Sequence, residues 1–368
     1  MSNHLPFQAA RRSDAIAIAR VICILGVVYV HAWTGLNGEA LAALRGTAQD
    51  NFRWFLMELF GRSAVPLLGL ISGWLVAGSR RTLDWSGHVR RKARTILLPM
   101  ILWNIIAIVL VSGAARVAGL QAPQPQSLGW MIDEIFIVTR NPDINVQMPF
   151  LRDLFLCMVA APLLVRLPGR ALALVALVAA ACHIMGWGPP VLMRASILFF
   201  FATGILARRG GWAERAVALP WPVAILPFAM LMAAQLYWAV AGGGSPLALS
   251  ALDMAVRVAA ALAFWRLAWA LAGSGARPLL LRIEPYAFFL FCAHLILIWL
   301  GGPVLGGVLG RMGTPLYPAY LLLQPLIVLG VVMLIGTGLR HVAPGAAGIL
   351  SGGRLRAEPQ ASSRVAMA

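Results

Sequence analysis

The sequence has few charged residues and almost no lysine. Only 12% of its 368 residues are charged, and Lys92 is the only lysine. Soluble globular domains carry about 25% charged residues, so this fraction argues against a soluble fold. Hydrophobic residues make up 60% of the chain, and its mean hydropathy is +0.82. The composition predicts a protein whose solvent is the lipid bilayer.

Cysteine is also scarce, and its placement excludes two kinds of site. The four cysteines lie inside apolar stretches, without C-x-x-C or zinc-type spacing. We therefore expect buried thiols, with no disulfide framework and no metal site. The sequence also lacks a small-x-small cleavage pattern after Trp33, which predicts that the first apolar run is an uncleaved helix.

Apolar runs long enough to cross a bilayer recur along the chain and predict an all-α, polytopic integral membrane protein with about ten transmembrane helices. The polar stretches between them are too short to fold alone, so residues 15–339 are expected to form one transmembrane domain. The predicted spans are Ala15–Trp33, Trp54–Ala77, Thr95–Ala114, Phe150–Val165, Ala171–Trp187, Val191–Ala207, Trp221–Ala241, Ala248–Ala272, Glu284–Gly302 and Leu316–Leu339.

Basic residues are distributed unevenly between the two sides of this predicted topology. If the chain starts in the cytoplasm, the inner segments hold 19 Lys or Arg and the outer segments five. Positively charged loops are retained in the cytoplasm, so both termini are predicted to be cytoplasmic. This topology accounts for the net charge of +17 without a nucleic-acid partner.

Three segments outside the spans have distinct compositions. Residues 1–14 are expected to be a cytoplasmic N-terminal segment, and residues 340–368, rich in Gly, Ala, Ser and Arg, a mostly disordered cytoplasmic tail. The longest outer segment, residues 115–149, contains a possible interfacial helix around Trp130–Val138. It is either an acceptor lid or a plain connector.

Ionisable groups inside spans are costly, so each is a hypothesis for a functional site. Arg20 and His31 both lie in the first span. Eleven helical steps leave them about 20° apart on one face and roughly 16 Å apart along the axis. The predicted topology places Arg20 toward the cytoplasm and His31 toward the outside.

This Arg-x10-His arrangement resembles the first helix of the acyltransferase 3 family. Further segments resemble family landmarks in the expected order: RSAVPLLGLISGWL with Ser72 and Gly73, RRKARTILLPMILW with Arg91 and Arg94, MPFLRDLFLCMVAAPLL, ILFFFATGILARR, and PYAFFLFCAHLILI with His294. Two positions depart from the family pattern. Ala17 stands where an acidic residue is frequent, with Asp14 one turn earlier, and Glu284, Pro285 and Tyr286 replace a frequent Ser-Tyr pair.

The resemblance implies a membrane O-acyltransferase of the bacterial cytoplasmic membrane. Its donor substrate would be cytoplasmic acyl-CoA, most often acetyl-CoA, with succinyl or longer chains as alternatives; no cofactor would be permanently bound. Its acceptor would be a hydroxyl of an extracytoplasmic glycan or lipid-linked sugar. Membrane lipid, acyl-CoA and this acceptor are the expected partners.

Within this scheme the cationic residues and the histidine have different tasks. Arg20, with Arg90, Arg91 and Arg94, could bind nucleotide phosphates through charge-assisted hydrogen bonds. Histidine titrates near neutrality, so His31 could accept the hydroxyl proton and return it to the leaving thiolate. An acyl-histidine intermediate is the alternative.

The remaining candidate residues carry both a functional and a structural interpretation. Ser72 could bind the donor, or the Ser-Gly pair could permit close helix packing. His294 could belong to the site or bond within its own helix. The acceptor-side candidates are Glu58, Arg62, Arg152, Asp153, Asp253 and Arg257. The Glu58–Arg62 and Asp253–Arg257 spacings also suit i,i+4 pairs on a helix. Arg152 and Asp153 are adjacent and point to different faces, so at least one of them should face the bundle.

A transporter is the competing class of function. Intramembrane Arg, Asp and Glu would then form the path of a secondary transporter or flippase for a small anionic or glycolipid substrate. Transporters frequently show two related halves, and no such internal symmetry is evident in this sequence. The ordered landmarks therefore favour the enzyme.

Overall fold

The fold, seen in a computed structural model, is built from helices. The structure describes the backbone of residues 4–355, and the side chains of residues 8–61 and 65–355. Within this part of the chain there are no strands, only an isolated bridge between Gly188 and Pro190. This agrees with the predicted all-α class.

Long apolar helices alternate with shorter polar connections. In chain order the helices are α1 (His4–Val30), α2 (Ala48–Ala77), α3 (Trp85–Ala118), α4 (Leu128–Phe136), α5 (Pro149–Leu164), α6 (Gly169–Ile184), α7 (Ser196–Gly210), α8 (Trp212–Ala218), α9 (Trp221–Ala241), α10 (Pro246–Leu271), α11 (Arg277–Leu309), α12 (Tyr317–Val342) and α13 (Pro344–Leu350). Short π-helical turns interrupt α2 at Met57–Arg62 and α3 at Ala93–Leu97 and Ile108–Ser112. A further short helix covers Gly38–Ala42.

Local sequence signals set several helix ends. Ser127 and Ser245 cap α4 and α10, their hydroxyls accepting from the backbone N–H of Trp130 and Ala248 at 3.0 and 3.2 Å. Such caps satisfy an N–H group that has no partner inside the helix. Gly211 and Gly242 follow α7 and α9 in the left-handed conformation that ends a helix.

Within the described residues, seven helices are long and apolar enough to cross a membrane: α1, α2, α3, α9, α10, α11 and α12. The protein is therefore a multi-pass membrane protein. The other three predicted spans correspond to α5, α6 and α7, which have 16, 16 and 15 residues. Helices of this length reach about 24 Å, less than the roughly 30 Å of a bilayer core.

Helix α1 lies at the centre of the bundle. It contacts α2, α10, α11 and α12, and its residues Ile18, Cys23 and Val28 are fully buried. Helix α2 packs most extensively on α7. A Cβ atom on Gly73 of α2 would lie 1.9 Å from the Phe201 carbonyl oxygen, so the two backbones touch only because the residue is glycine. This confirms the packing role suggested for the Ser-Gly pair.

The long connection between α3 and α5 is an ordered segment that packs against the membrane helices. Helix α4 (Leu128–Phe136) overlaps in sequence with the interfacial helix predicted around Trp130–Val138. Buried Glu134 at its C-terminal end accepts backbone N–H groups of Asp143 and Ile144, both at 2.8 Å. Asn145 then donates to the side chain of Asn104 on α3 at 3.1 Å. The connection is thereby tied to the membrane helices.

The C-terminal segment corrects the prediction of disorder from residue 340. Helix α12 continues to Val342, α13 follows, and Ser351 and Leu355 are 0% and 1% exposed. Apolar Leu350 and Leu355 pack against the bundle, which the Gly- and Ala-rich composition did not indicate. The rest of the predicted tail, residues 356–368, lies outside the described residues.

Candidate active site

Arg20 lies at the wall of a cationic cavity of about 310 Å³, called here the Arg20 cavity. Helices α1, α2, α3, α5 and α11 contribute to the wall. Its cationic side chains are those of Arg20, Arg81, Arg91, Lys92 and Arg354, and Glu284 is its one carboxylate within the described residues. Five cations facing one carboxylate make this cavity suited to a polyanionic ligand.

Glu284 holds Arg20 in place. Its Oε1 atom lies 3.1 Å from Nη1 of Arg20, and both side chains are partly buried. Asp14, the carboxylate nearest in sequence, instead pairs with Arg277 at 2.7 Å. The partner of the α1 arginine therefore comes from α11, at one of the positions where the sequence departs from the family pattern.

The predicted donor-side residues divide into two groups. Ser72 and Arg91 line the Arg20 cavity, where the Ser72 hydroxyl donates to the Leu68 carbonyl at 2.7 Å. Arg90 and Arg94 are exposed and are not brought to this wall. The sequence interpretation did not single out Arg81, Lys92 or Arg354 as lining residues. Position in a basic cluster does not reveal which side chains point inward.

His31 follows directly on the end of α1, in a turn whose shape depends on Trp33. The indole of Trp33 lies against Gly302 and Gly306 of α11, where an added Cβ would come within 2.5 and 2.0 Å of the ring. The backbone N–H of Trp33 donates to the side-chain oxygen of Gln324 on α12 at 3.1 Å. Contacts with two helices therefore fix the turn that carries His31.

His31 lines two cavities. One, of about 370 Å³ and called here the His31 cavity, is lined by residues of α1, α2, α5, α6, α7, α10 and α11. Its polar lining residues are His31, Gln147, His183, Arg194, Ser196 and Arg257. The other, of about 1000 Å³ and called here the vestibule, is lined by polar residues Thr34, Asn37, Gln121, Asp143 and Arg311 together with His31. His31 is therefore positioned where a large ligand in the vestibule could reach the smaller cavity.

His294 of α11 lies beside His31, with their ring centroids 5.4 Å apart. Its Nδ1 atom is 2.9 Å from the Phe291 carbonyl oxygen and 3.1 Å from that of Leu290. Carbonyls only accept, so Nδ1 carries the proton and Nε2 is left as an acceptor. Nε2 is fully buried and has no hydrogen-bond partner among the described residues. The interpretation that His294 bonds within its own helix is confirmed, and its ring also lies beside that of His31.

Phe150 and Phe291 separate the Arg20 cavity from the His31 cavity. Both residues line both cavities, and their ring centroids are 5.7 Å apart. They are 5% and 3% exposed, and the pair is called here the aromatic partition. The two cavities therefore meet end to end along α1, one at Arg20 and the other at His31.

Asp253 and Arg257 form the ion pair that their spacing indicated, at 2.6 Å. Arg257 nevertheless lines the His31 cavity, and Asp253 lies 3.5 Å from His183, a second lining residue. No site role was assigned to His183 from the sequence. The structure thus brings one of the predicted pairs to the His31 cavity.

Arg152 and Asp153 hold the loop that carries Arg194. Asp153 is fully buried, as expected for one of the two, and accepts from Arg152 at 2.8 Å and from the Arg194 backbone N–H at 2.7 Å. Arg152 also donates to the carbonyl oxygens of Pro190 and Val191 at 2.7 and 2.9 Å. Neither side chain lines the two cavities; they position Arg194, which sequence reasoning missed.

Glu58 is buried and accepts from Gln235 of α9 at 3.3 Å. The side chain of Arg62, its predicted partner, lies outside the described residues. Within the described part of the chain, no group of three or more His, Cys, Asp or Glu could hold a metal ion. The four cysteines are free thiols, three of them buried.

Comparisons with known proteins show which family the chain belongs to. Residues 13–339 match the acyltransferase domain of the acyltransferase 3 family. The chain is also 30% identical over 376 residues to the succinoglycan biosynthesis protein ExoH of Rhizobium meliloti (strain 1021), covering 96% of this chain and 95% of that protein. No solved structure matches the chain. The resemblance found in the sequence is confirmed: the chain belongs to the acyltransferase 3 family and is an acyltransferase.

Proposed function

We propose that this protein transfers an acyl group from cytoplasmic acyl-CoA to a hydroxyl of an extracytoplasmic polysaccharide or lipid-linked saccharide. The observation that carries the proposal is that a cationic cavity at Arg20 and a histidine cavity at His31 meet at Phe150 and Phe291. The relative named for succinoglycan biosynthesis supports a saccharide acceptor. Acetyl is the first acyl group to test, with succinyl as the alternative.

The proposed division of labour follows from charge. The nucleotide phosphates of the donor bind in the Arg20 cavity, where arginine and lysine donate charge-assisted hydrogen bonds. The thioester end extends past the aromatic partition toward His31. The vestibule, which also reaches His31, receives the saccharide. Its volume of about 1000 Å³ is large enough for several sugar rings.

In the direct route the acceptor hydroxyl attacks the thioester carbonyl carbon. His31 takes the hydroxyl proton as the carbon–oxygen bond forms, and returns it to the CoA sulfur as the carbon–sulfur bond breaks. Arg194 and Arg257, which line the same cavity, would stabilise negative charge on the carbonyl oxygen. The alternative route forms an acyl-imidazole on His31, with release of CoA, before the hydroxyl attacks.

We further propose that all ten predicted spans cross the membrane with both termini in the cytoplasm. The three shorter helices can span where the bilayer thins, or with flanking residues that complete the crossing. The arginine-rich loop before α3 and the Arg20 cavity then lie on the cytoplasmic side, where acyl-CoA is found. Labelling of single cysteines introduced at positions 86, 168 and 188 tests this arrangement. The topology requires the first two to react only from inside and the third only from outside.

Mass analysis of surface glycans tests the function. Cells lacking the protein are complemented with the wild type, His31→Ala, or the control His341→Ala, which replaces an exposed histidine at the end of α12. Acyl decoration should return with the wild type and the control but not with His31→Ala. If stably inserted His31→Ala restores full decoration, catalysis by His31 is wrong. Substrate flux across the membrane with unchanged acyl content would instead identify a transporter.

Donor kinetics test the role of Arg20. Arg20→Ala should raise the KM for acyl-CoA about tenfold with little change in the KM for the acceptor, since one charge-assisted contact is lost. Arg277→Ala is the control, because Arg277 pairs with α1 through Asp14 but does not line the cavity. An Arg20→Ala enzyme with an unchanged KM for acyl-CoA contradicts the assignment.

A further inference from the structure

The segment after α12 returns to the bundle and adds a cation to the Arg20 cavity. We propose that Arg354 is a donor-binding residue whose guanidinium binds a phosphate group of the CoA moiety. This inference rests on the proposed function and extends it to a part of the chain that lies beyond residues 13–339, the range matched by the family. Its basis is the way the C-terminal segment is built.

Helix α13 is fastened to the membrane helices on its C-terminal side. The indole N–H of Trp103 on α3 donates to the Leu350 carbonyl at 3.0 Å. Leu355 is 1% exposed and packs near Gly336 of α12, where an added Cβ would lie 3.1 Å from its Cδ1 atom. The segment is thus anchored on both sides of Arg354, which suits a residue with a fixed position.

The turn between these anchors has defined backbone geometry. The buried hydroxyl of Ser351 accepts the N–H groups of Arg354 and Leu355 at 3.1 and 2.8 Å. Gly352 has φ +61°, and a Cβ there would lie 2.4 Å from the Thr95 carbonyl oxygen of α3. Only glycine combines this backbone conformation with so close an approach. The sequence SGGR therefore forms a compact turn against α3.

The Arg354 side chain is directed into the cavity by two contacts. Its guanidinium carbon lies 4.2 Å from the ring centroid of Phe288 on α11, and its Nη1 donates to the Ser351 carbonyl at 3.1 Å. Arg354 is exposed where it lines the open cavity. The guanidinium thus retains donor groups for a ligand.

The charge around Arg354 favours an anionic ligand. Arg20 and Lys92 line the same cavity, and Glu284 is the one carboxylate among its described lining residues. Like charges gathered in one cavity repel, and a polyphosphate ligand would relieve this repulsion. The adenosine 3′-phosphate and diphosphate of CoA provide that charge.

Binding of coenzyme A to the purified full chain in lipid nanodiscs tests the inference. Arg354→Gln should weaken CoA binding about tenfold, whereas Arg354→Lys should retain most of the affinity. Arg340→Gln is the matched control, since Arg340 lies in the last turn of α12 and does not line the cavity. Its affinity should stay within about twofold of the wild type. Melting temperatures of all variants establish that the C-terminal segment remains folded.

The outcomes separate the two proposals. If the wild type binds CoA and Arg354→Gln binds it equally well, the role of Arg354 is wrong and the proposed function stands. If the wild type itself does not bind CoA, the donor assignment fails. Pantetheine, which lacks the nucleotide phosphates, is a second probe. A loss of pantetheine binding in Arg354→Gln as large as the loss of CoA binding would overturn a phosphate-specific role.

Discussion

The imidazole rings of His31 and His294 face each other across the interface of α1 and α11, with centroids 5.4 Å apart. The buried Nε2 atom of His294 is an acceptor, because Nδ1 is bonded to backbone carbonyls. Such an acceptor can orient a neighbouring donor and thereby select its tautomer. We infer that His294 positions His31 for proton transfer.

We predict that His294→Phe lowers kcat about 10- to 100-fold, because it keeps an aromatic ring but removes the acceptor nitrogen. General acid–base catalysis contributes about 10²–10⁴ in rate, and only part of this is expected to depend on His294. His294→Gln, which retains an acceptor, should recover part of the loss. Steady-state kinetics with both substrates measure this, and the KM for acyl-CoA should not change. An unchanged kcat in a stably folded His294→Phe enzyme would exclude the positioning role.

Replacing a ring of the aromatic partition should uncouple CoA release from acylation of the acceptor. Phe291→Leu should increase hydrolysis of acyl-CoA in the absence of acceptor, because a smaller side chain between the two cavities admits water. Phe289→Leu is the control: it lies two residues earlier on α11, is equally buried and packs on Trp103. The ratio of CoA released to acceptor acylated is the measurement. Equal ratios in the two variants would show that the partition does not exclude water.

The contact between Trp33 and α11 predicts sensitivity to one added methyl group. Gly302→Ala should lower both the melting temperature and kcat, since the new Cβ would lie 2.5 Å from the indole and displace the turn that holds His31. Overpacking of this kind costs about 1–3 kcal/mol. The neighbouring Gly301→Ala meets no atom within 4 Å and should match or exceed wild-type stability. Similar behaviour of the two variants would refute the contact.

Glu134, which lies outside the membrane-spanning helices, predicts that the stability of the folded protein depends on pH. Burial raises the pKa of this carboxyl above its ordinary value of 4.5, although two backbone N–H groups oppose the shift. The folded state then holds this proton more tightly than the unfolded state does. The contribution to stability is therefore largest below pH 4.5 and declines as the pH rises through the folded-state pKa.

Glu134→Gln removes this titration but also one acceptor for the N–H groups of Asp143 and Ile144. The variant is expected to be less stable than the wild type below pH 4.5, with the difference narrowing as the pH rises through the folded-state pKa of Glu134. Thermal unfolding across this range measures the difference. If it widens with pH, the hydrogen bonds lower the carboxyl pKa more than burial raises it.

The sequence by itself determined the membrane environment and the helical class. It also predicted Arg20 and His31 on one helix, whereas α1 ends at Val30 and His31 lies in the turn that follows. These features depend on composition and on 3.6-residue periodicity, which are local properties. The same reasoning also recovered the Asp253–Arg257 ion pair, because i,i+4 neighbours meet within one helix. Family resemblance then added the class of reaction.

Only the tertiary structure decided which residues surround that pair. Glu284, Arg194 and Arg354 line the cavities, and His294 contacts His31, from helices and loops far apart in the sequence. Arg90 and Arg94 lie in the same basic cluster as Arg91 but are exposed and do not line the Arg20 cavity. Periodicity places residues on the faces of one helix, whereas the packing of helices against one another determines which faces meet and which charges share a cavity.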